Sequence, residues 1–251
     1  MKNIIFRNLP AGLLRKYFRW RGYCIDLLPE ILSGVKVDLT INKDNELWIS
    51  RLSQVEGHEP EICKWLALNL GEPEVIYDVG SHFGFFPAFI SNLRPLSDIH
   101  TFQPYIYAFN FLRINQYQYR DRNRWSINEK FVSDQRSSNH ITLDDYAMNN
   151  NWPTLIKIDI DGPEVYALRG CQKILEARKT RFLVEIHPQL MKDHFGHTWD
   201  DIFACIPKNY SFRYLPNVRT SAKWHCDFDA VADDDNPYIY FCPEEMNTDT
   251  F

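Results

Sequence analysis

A chain of 251 residues with 45% hydrophobic side chains can bury one substantial core, which predicts one main domain, alone or with an extension. The formal net charge of −5 gives no overall positive field for a phosphate backbone, so nucleic acid is not the expected substrate and a small or neutral molecule is favoured. The six cysteines form no CxxC pair, and the amino terminus predicts neither a secretion signal nor a membrane span, so we expect a cytoplasmic protein.

Residues 1–56 are predicted to form an amino-terminal extension of helices and a hairpin. Residues 11–32 have the spacing of one or two short helices, broken near Gly22 and Pro29. Residues 36–50 alternate between apolar and polar side chains, which predicts two strands joined by a turn.

Residues 57–251 are predicted to form the main domain, beginning with a helix over 59–70. Strands are predicted over 74–80, 98–104, 127–133, 154–160, 181–187, 210–215 and 238–243. Helices are predicted over 84–93, 105–118, 142–149, 164–178 and 198–206. This alternation indicates an α/β fold with a seven-stranded, mostly parallel, Rossmann-like sheet flanked by helices. The last two strands have no helix between them, which predicts an antiparallel edge strand.

The segment IYDVGSHFGFF (76–86) is the sharpest motif, because an apolar strand ends in Asp78 and a turn with Gly80 and Gly84 enters a helix. The GxxxG spacing differs from the GxGxxG of dinucleotide folds, and a carboxylate there repels phosphate and attracts an ammonium group. The alternative is a junction that needs glycine for packing alone. The candidate contacts with a ligand are Asp78, Gly80, Ser81, His82, Phe83 and Gly84.

Gln103 stands at the end of the next predicted strand, where a side chain can reach the hydroxyls of a ribose. A glutamine amide has one acceptor oxygen, so it would bind the two hydroxyls less strongly than a carboxylate does. The alternative is a polar residue that caps the helix after Pro104.

The segment TLIKIDIDGPEVYALRG (154–170) places Lys157 in a buried strand and Asp159 and Asp161 at its end. Charges at one strand end are costly unless they pair or bind a ligand, and ligands of open α/β sheets bind at this edge. Asp159 is the favoured functional residue. Glu164 is interpreted as an acid in the first turn of a helix, where the helix dipole stabilises it.

The segment FLVEIHP (182–188) ends the following strand with Glu185 and His187. A histidine that titrates near neutral pH can accept the proton of a hydroxyl, so His187 is a candidate general base. The alternative is a histidine satisfied by a loop carbonyl. Together with Asp159 and Asp161 these side chains could hold magnesium or manganese, but the interpretation without a metal is favoured.

Five segments together resemble the FkbM family of methyltransferases, in the right order over roughly residues 57–243. They are DVGSHFG (78–84), TFQPYIYAFNFLRIN (101–115), ITLDDY (141–146), KIDIDGPEVYALRG (157–170) and EIHP (185–188). The resemblance implies a seven-stranded methyltransferase sheet, S-adenosylmethionine as cofactor, and methyl transfer to an oxygen of a sugar or secondary metabolite. Carried over by position, Asp78, Gly80 and Gly84 match the family's cofactor loop, and Asp159 and Glu164 match its acidic motif.

The chain departs from the family pattern at four positions, one of which is Pro163, where the family has a small residue. His82 stands where the family usually has Asn, Gln103 where it has Glu, and Asp161 where it has Glu. The changes at His82 and Gln103 bear on cofactor affinity or orientation. The segment before the LDD motif is short for the family, and Ser133 and Asp134 are the candidates for contacts with adenine.

The sequence therefore predicts an O-methyltransferase with a small-molecule or sugar acceptor, and a homodimer is compatible with it. The candidate catalytic residues are Asp159, His187, Lys157 and Glu185, and Asp159 is also a candidate contact with the cofactor. One alternative is an NAD-dependent oxidoreductase, which the GxxxG spacing and the missing Ser/Tyr/Lys set disfavour. The other alternative is a non-catalytic nucleotide-binding module of the same fold, suggested by His82 and Gln103.

Overall fold

The structure, a computed structural model, describes residues 9–27, 30–31, 35–53, 58–122, 124–216, 223–226 and 236–251. The chain divides into two compact units. The first unit comprises Met1–Pro73 and Ser81–Glu129, and the second comprises Glu74–Gly80 and Lys130–Phe251. The predicted boundary at residue 56 lies outside the described residues, so the division into extension and main domain stays a prediction.

The described residues form thirteen strands and ten α-helices. The strands are β1 (Cys24–Leu27), β2 (Glu30–Ile31), β3 (Val35–Lys36), β4 (Leu39–Asn42), β5 (Val75–Val79), β6 (Asp98–Phe102), β7 (Arg124–Asn128), β8 (Phe131–Val132), β9 (His140–Ile141), β10 (Leu155–Ile158), β11 (Arg181–Glu185), β12 (Tyr210–Leu215) and β13 (Tyr238–Pro243). The helices are α1 (Ala11–Trp20), α2 (Glu46–Leu52), α3 (Pro60–Asn69), α4 (Phe85–Leu93), α5 (Ile106–Tyr119), α6 (Leu143–Ala147), α7 (Glu164–Arg169), α8 (Gln172–Ala177), α9 (Pro188–Phe195) and α10 (Trp199–Cys205). No α-helix among the described residues is long and apolar enough to cross a membrane.

The seven-stranded sheet has the order β12-β13-β11-β10-β5-β6-β7, which confirms the predicted α/β fold. Strands β5, β10 and β11 are parallel neighbours, whereas β13 runs antiparallel to both β11 and β12. The antiparallel strand lies one place in from the edge, because β13 inserts between β11 and β12.

The amino-terminal elements differ from the prediction. The helix over 11–32 ends at Trp20, and β1 follows it and pairs antiparallel with β4. The second predicted strand of 36–50 is instead the helix α2. Its first turn is capped by Asn45, whose side chain accepts a hydrogen bond from the Trp48 N–H at 3.3 Å. Local capping therefore outweighs the alternating pattern in this segment.

Three elements of the second half also differ in detail. The strand predicted over 127–133 is two strands, β7 and β8. The helix predicted over 164–178 is two helices, with Gly170 between them. A Cβ at Gly170 would lie 2.1 Å from the Ser133 carbonyl oxygen, so the helix break accommodates a close backbone approach. Helix α9 was missed, although Pro188 at its start is a common helix-initiating signal.

The strands beneath the candidate site are continuously buried. All residues of β10 and β11 are buried, as expected for parallel strands that are covered on both faces. At the start of β11, Arg181 pairs with Glu74 at 2.7 Å and with Asp249 at 3.2 Å. The opposite, carboxyl ends of the same strands carry the polar side chains that the sequence indicated.

Candidate active site

Polar side chains of the second unit lie where β5, β10 and β11 end. Asp78 and Lys157 occupy paired register positions on β5 and β10, and both are buried. Asp159 directly follows β10, and Glu185 is the last residue of β11. The structure thus brings the candidate residues of this unit to one sheet edge, the usual ligand edge of open α/β sheets.

Lys157 forms an ion pair with Asp159 in this cluster. The Lys157 Nζ lies 3.1 Å from Asp159 Oδ2 and 5.5 Å from the centre of the Tyr238 ring. Burial alone would raise the pKa of the Asp159 carboxyl, but the nearby Lys157 and His187 charges outweigh it. A hydrogen bond with Glu185 adds to their effect, and the pKa of Asp159 is lowered to about 2. Asp159 is therefore a carboxylate at neutral pH.

Glu164 and His187 form a buried pair. The Glu164 side chain is 0% exposed, and its Oε1 lies 2.8 Å from His187 Nδ1. The same oxygen accepts a hydrogen bond from the Gly162 N–H at 2.8 Å. An ionised carboxylate only accepts hydrogen bonds, so we assign the Nδ1 proton to His187. Glu164 is thus more than an acid in the first turn of α7, because it orients the imidazole.

The other imidazole nitrogen, His187 Nε2, faces three carboxylates. It lies 3.4 Å from Asp161 Oδ1, 3.8 Å from Glu185 Oε1 and 3.9 Å from Asp159 Oδ1. Burial favours the neutral imidazole, but the hydrogen bond and charge of Glu164, helped by the two aspartates, outweigh it and raise the pKa of His187. The partners of His187 are thus carboxylates and not the loop carbonyl of the alternative interpretation.

Asp159, Asp161 and His187 also offer three ligand atoms within 4.8 Å of one another. Two oxygens and one imidazole suit a divalent cation such as magnesium or manganese. The same distances suit a protonated imidazole among carboxylates with no metal. Removal of metal ions by a chelator separates these two states.

The turn after β5 requires glycine at its start. Gly80 has a φ of 91°, and a Cβ there would lie 1.7 Å from the carbonyl oxygen of Asp159. In the first unit, Gly84 has a φ of 93°, and its Cβ would lie 2.8 Å from a Leu112 methyl carbon. Both glycines therefore have a packing reason, and a contact with a ligand stays a prediction for each. Between them, the Gly84 N–H donates to the Ser81 carbonyl at 2.7 Å.

Gln103 lies at the end of β6 in the first unit. Its side chain is buried, and its Oε1 accepts a hydrogen bond from the Tyr105 N–H at 3.4 Å. Tyr105 is the N-cap residue directly before α5, so this contact matches the capping alternative. The ribose contact of Gln103 stays a prediction.

Ser133 and Asp134 follow β8 in the second unit. The Ser133 hydroxyl donates to Asp134 Oδ1 at 3.2 Å, and the Ser133 carbonyl lies against Gly170. Both side chains are partly exposed. Their contact with adenine stays a prediction.

Two residues of this sheet edge, Tyr238 and Glu164, make contacts that the sequence pattern did not predict. Glu164 belongs to the segment KIDIDGPEVYALRG (157–170) that resembles the family, but only the fold shows that its carboxylate reaches His187. Tyr238 is the first residue of β13 and pairs in register with Glu185. No sequence pattern indicates that β13 lies beside β11, because 50 or so residues separate the two strands.

Comparison with known proteins gives a family match and shared folds. Residues 108–214 match the model of the methyltransferase FkbM domain. No curated protein matches the sequence. The crystal structure of a methyltransferase FkbM from Methylobacillus flagellatus KT is similar with a TM-score of 0.50 and 18% identity, over 69% of this chain and 45% of that chain. The chain thus spans less than half the length of that protein.

Two further solved structures are more distant. A TehB-like SAM-dependent methyltransferase from Corynebacterium glutamicum ATCC 13032 Kitasato has a TM-score of 0.48 and 10% identity, over 79% of this chain and 95% of that chain. A precorrin-6y C5,15-methyltransferase from Geobacter metallireducens GS-15 has a TM-score of 0.47 and 13% identity, over 75% of this chain and 89% of that chain. The sheet described above and the family match lead to one conclusion. The seven-stranded sheet has the fold of the methyltransferase FkbM structure, and residues 108–214 match the model of the FkbM domain, which confirms the resemblance to that family over these residues.

Proposed function

We propose that the chain is an S-adenosylmethionine-dependent O-methyltransferase that methylates a hydroxyl group of a small molecule or sugar. The observation that carries the proposal is the buried Glu164–His187 pair at the carboxyl edge of the sheet. It orients an imidazole nitrogen toward Asp159 and Asp161, where a hydroxyl group could be held and deprotonated.

The residues at the end of β5 fit the amino acid half of the cofactor. The buried carboxylate of Asp78 suits an ammonium group, and the close approach of Gly80 to the Asp159 carbonyl fixes the turn that follows it. The other proposed contacts follow the sequence expectations, with Ser81, His82, Phe83 and Gly84 at the methionine, Gln103 at the ribose, and Ser133 and Asp134 at the adenine. When bound, S-adenosylmethionine supplies an electrophilic methyl group attached to a sulfonium.

His187 is the proposed general base. With its Nδ1 proton donated to Glu164, the neutral imidazole has a lone pair on Nε2 that can take the hydroxyl proton. The bound cofactor would supply the methyl group, and the role of His187 is to hold the proton that the acceptor hydroxyl gives up. The imidazolium that results is stabilised by Glu164 and Asp161.

Lys157 and Glu185 have supporting roles in this proposal. The ammonium of Lys157 keeps Asp159 ionised, so that Asp159 can accept a hydrogen bond from the acceptor hydroxyl. Glu185, at the end of the neighbouring strand, also contributes to lowering the pKa of Asp159. A fixed hydroxyl is important, because alignment with the methyl carbon supplies much of the rate of an in-line displacement.

The charge of the site favours a neutral acceptor rich in hydroxyl groups. Asp159 and Asp161 place several acceptor oxygens around His187, and the Asp161 side chain is 80% exposed. Carboxylates accept hydrogen bonds from hydroxyls but repel phosphate and carboxylate groups. A sugar or polyhydroxylated metabolite therefore fits better than an anionic acceptor.

The test combines methyl transfer with cofactor binding. Purified protein, labelled S-adenosylmethionine and a panel of neutral glycosides and hydroxylated metabolites should give labelled product. His187→Ala and Asp159→Asn should each lower turnover by about 10² or more, while the affinity for S-adenosylhomocysteine measured by calorimetry is largely retained. His194→Ala changes an exposed histidine of the same unit and is the matched control. Unchanged turnover in both active-site variants would remove these residues from the mechanism.

Ligand-binding measurements on the same purified protein distinguish the two alternative functions. A rise in melting temperature with S-adenosylhomocysteine but not with NAD supports the proposal over an oxidoreductase, because a ligand stabilises the state that binds it. The non-catalytic alternative, suggested by His82 and Gln103, predicts binding without labelled product from any acceptor.

A further inference from the structure

In the first unit, helix α2 contacts the turn Ser81–Gly84 through a tryptophan. The Trp48 ring stacks on the His82 imidazole, with ring centres 5.2 Å apart and planes at 23°. Its edge packs against Phe83, with ring centres 4.7 Å apart and planes at 87°. The Arg51 guanidinium lies 5.3 Å from the centre of the Trp48 ring, a cation–π contact one helical turn away.

A second contact ties the same turn to β4. The side chain of Asn115 is completely buried and donates to the Phe83 carbonyl at 2.7 Å. It also donates to the Thr40 carbonyl at 3.1 Å and accepts from the Thr40 N–H at 2.8 Å. The turn is therefore held at two points, through β4 and through α2, and both elements belong to the segment outside the family resemblance.

The backbone of His82 needs such support. Its φ is 48°, in the left-handed region, which residues other than glycine adopt uncommonly, although Asn, Asp and His do so more often than most. The FkbM resemblance places Asn at this position, and Asn adopts the conformation more readily. One aromatic stack contributes about as much as a left-handed backbone costs, so the stack with Trp48 can decide whether the conformation is held.

We propose that Trp48 is a positioning residue of the cofactor turn, which it holds by keeping His82 in the left-handed conformation. The inference rests on the proposed function, in which the turn Ser81–Gly84 contacts the methionine half of the cofactor. It assigns a role to the amino-terminal extension, and it explains how this chain uses histidine where the family has asparagine.

The test is the affinity for S-adenosylhomocysteine, measured by calorimetry on the full chain. Trp48→Ala should weaken binding by about 3- to 10-fold, because one aromatic stack is lost. Trp48→Phe should retain most of the affinity, and Leu47→Ala, on an exposed neighbour in the same helix, should leave it unchanged. Equal affinity of Trp48→Ala and the unmodified protein would overturn the proposal.

A double-mutant cycle separates positioning from general packing. In a His82→Asn background the turn no longer needs the stack, so Trp48→Ala should change affinity by less than about 2-fold. The same loss in both backgrounds would show that Trp48 acts otherwise than through His82. A lower melting temperature of Trp48→Ala with unchanged affinity would show a packing role alone and would also overturn the proposal.

The outcome is distinct from a failure of the proposed function. If the unmodified protein does not bind S-adenosylhomocysteine, both proposals fall together. If it binds and none of the Trp48 variants differs from it, only the positioning role falls. Tryptophan fluorescence gives a second measurement, since the change on ligand addition should be smaller in Trp48→Phe than in the unmodified protein, which has seven tryptophans.

Discussion

Glu164 Oε1 and His187 Nδ1 are 2.8 Å apart, and both side chains are buried. Glu164 begins helix α7 and His187 stands two residues after β11, so the parallel sheet brings together two groups that are separate in sequence. The pair decides which nitrogen carries the proton and raises the pKa of the imidazole. Both effects bear on how a base at this position would work.

The rate of methyl transfer should depend on pH through His187. Only the neutral imidazole accepts a proton, so kcat/KM should rise with pH through a pKa above the ordinary histidine value of about 6.5. Glu164→Gln removes the negative charge that raises this pKa, so the rise should move to lower pH. Profiles of kcat/KM between about pH 5 and 9 measure this shift. Glu176→Gln, on an exposed side chain, is the control. An unchanged profile in Glu164→Gln would show that His187 is not the titrating base.

Lys157 should stabilise the fold in a pH-dependent way through Asp159. The pKa of Asp159 is depressed, so its ionic contribution is complete above the ordinary value near 3.8 and is lost as pH falls toward about 2. Lys157→Met should therefore lower the free energy of unfolding at neutral pH, by roughly 1–3 kcal/mol, and by less near pH 3. Urea unfolding at neutral pH and near pH 3 measures this loss of unfolding free energy. Lys179→Met, on an exposed side chain, is the control, and an equal loss at both pH values would contradict the ion-pair explanation.

Gly80 should not tolerate a side chain. Gly80→Ala would place a Cβ 1.7 Å from the Asp159 carbonyl, so the turn and the end of β10 must separate. We expect a clear drop in melting temperature and a loss of affinity for S-adenosylhomocysteine. Gly196→Ala is the matched control, because Gly196 also has a positive φ, 66°, but nothing lies within 4 Å of its Cβ position. Gly196→Ala should lower the free energy of unfolding by only about 1 kcal/mol, the strain of a left-handed backbone, and should leave the affinity for S-adenosylhomocysteine unchanged. Similar effects of both changes would contradict a specific close approach at Gly80.

Chelation should leave turnover unchanged if His187 is the base. A metal on Asp159, Asp161 and His187 would occupy the Nε2 lone pair that the proposed mechanism needs. Protein dialysed against EDTA should therefore keep its kcat, and added magnesium or manganese should not raise it. Activity that disappears with EDTA and returns with either ion would replace the base mechanism with a metal-assisted one.

The α/β fold and most elements of the main domain could be predicted from local sequence patterns. Alternation of buried strands with amphipathic helices is local information, and the strand ends at Asp78, Asp159 and Glu185 follow directly from it. In a parallel sheet all strands end at one edge, so the sequence also indicated that these groups lie together. The resemblance to the FkbM family rested on the same short segments and is confirmed over residues 108–214.

Tertiary structure alone decided the partners of these groups. From the sequence, Glu164 was expected to be an ordinary acid in the first turn of a helix, because the helix dipole favours acids there. Only the packing of α7 against the strand ends directs its carboxylate to His187. The segment of helix α2 was predicted to be a strand. No sequence pattern indicated that Trp48 stacks on His82. Periodicity reports which face of an element is buried, whereas contacts between residues distant in sequence depend on how the elements pack.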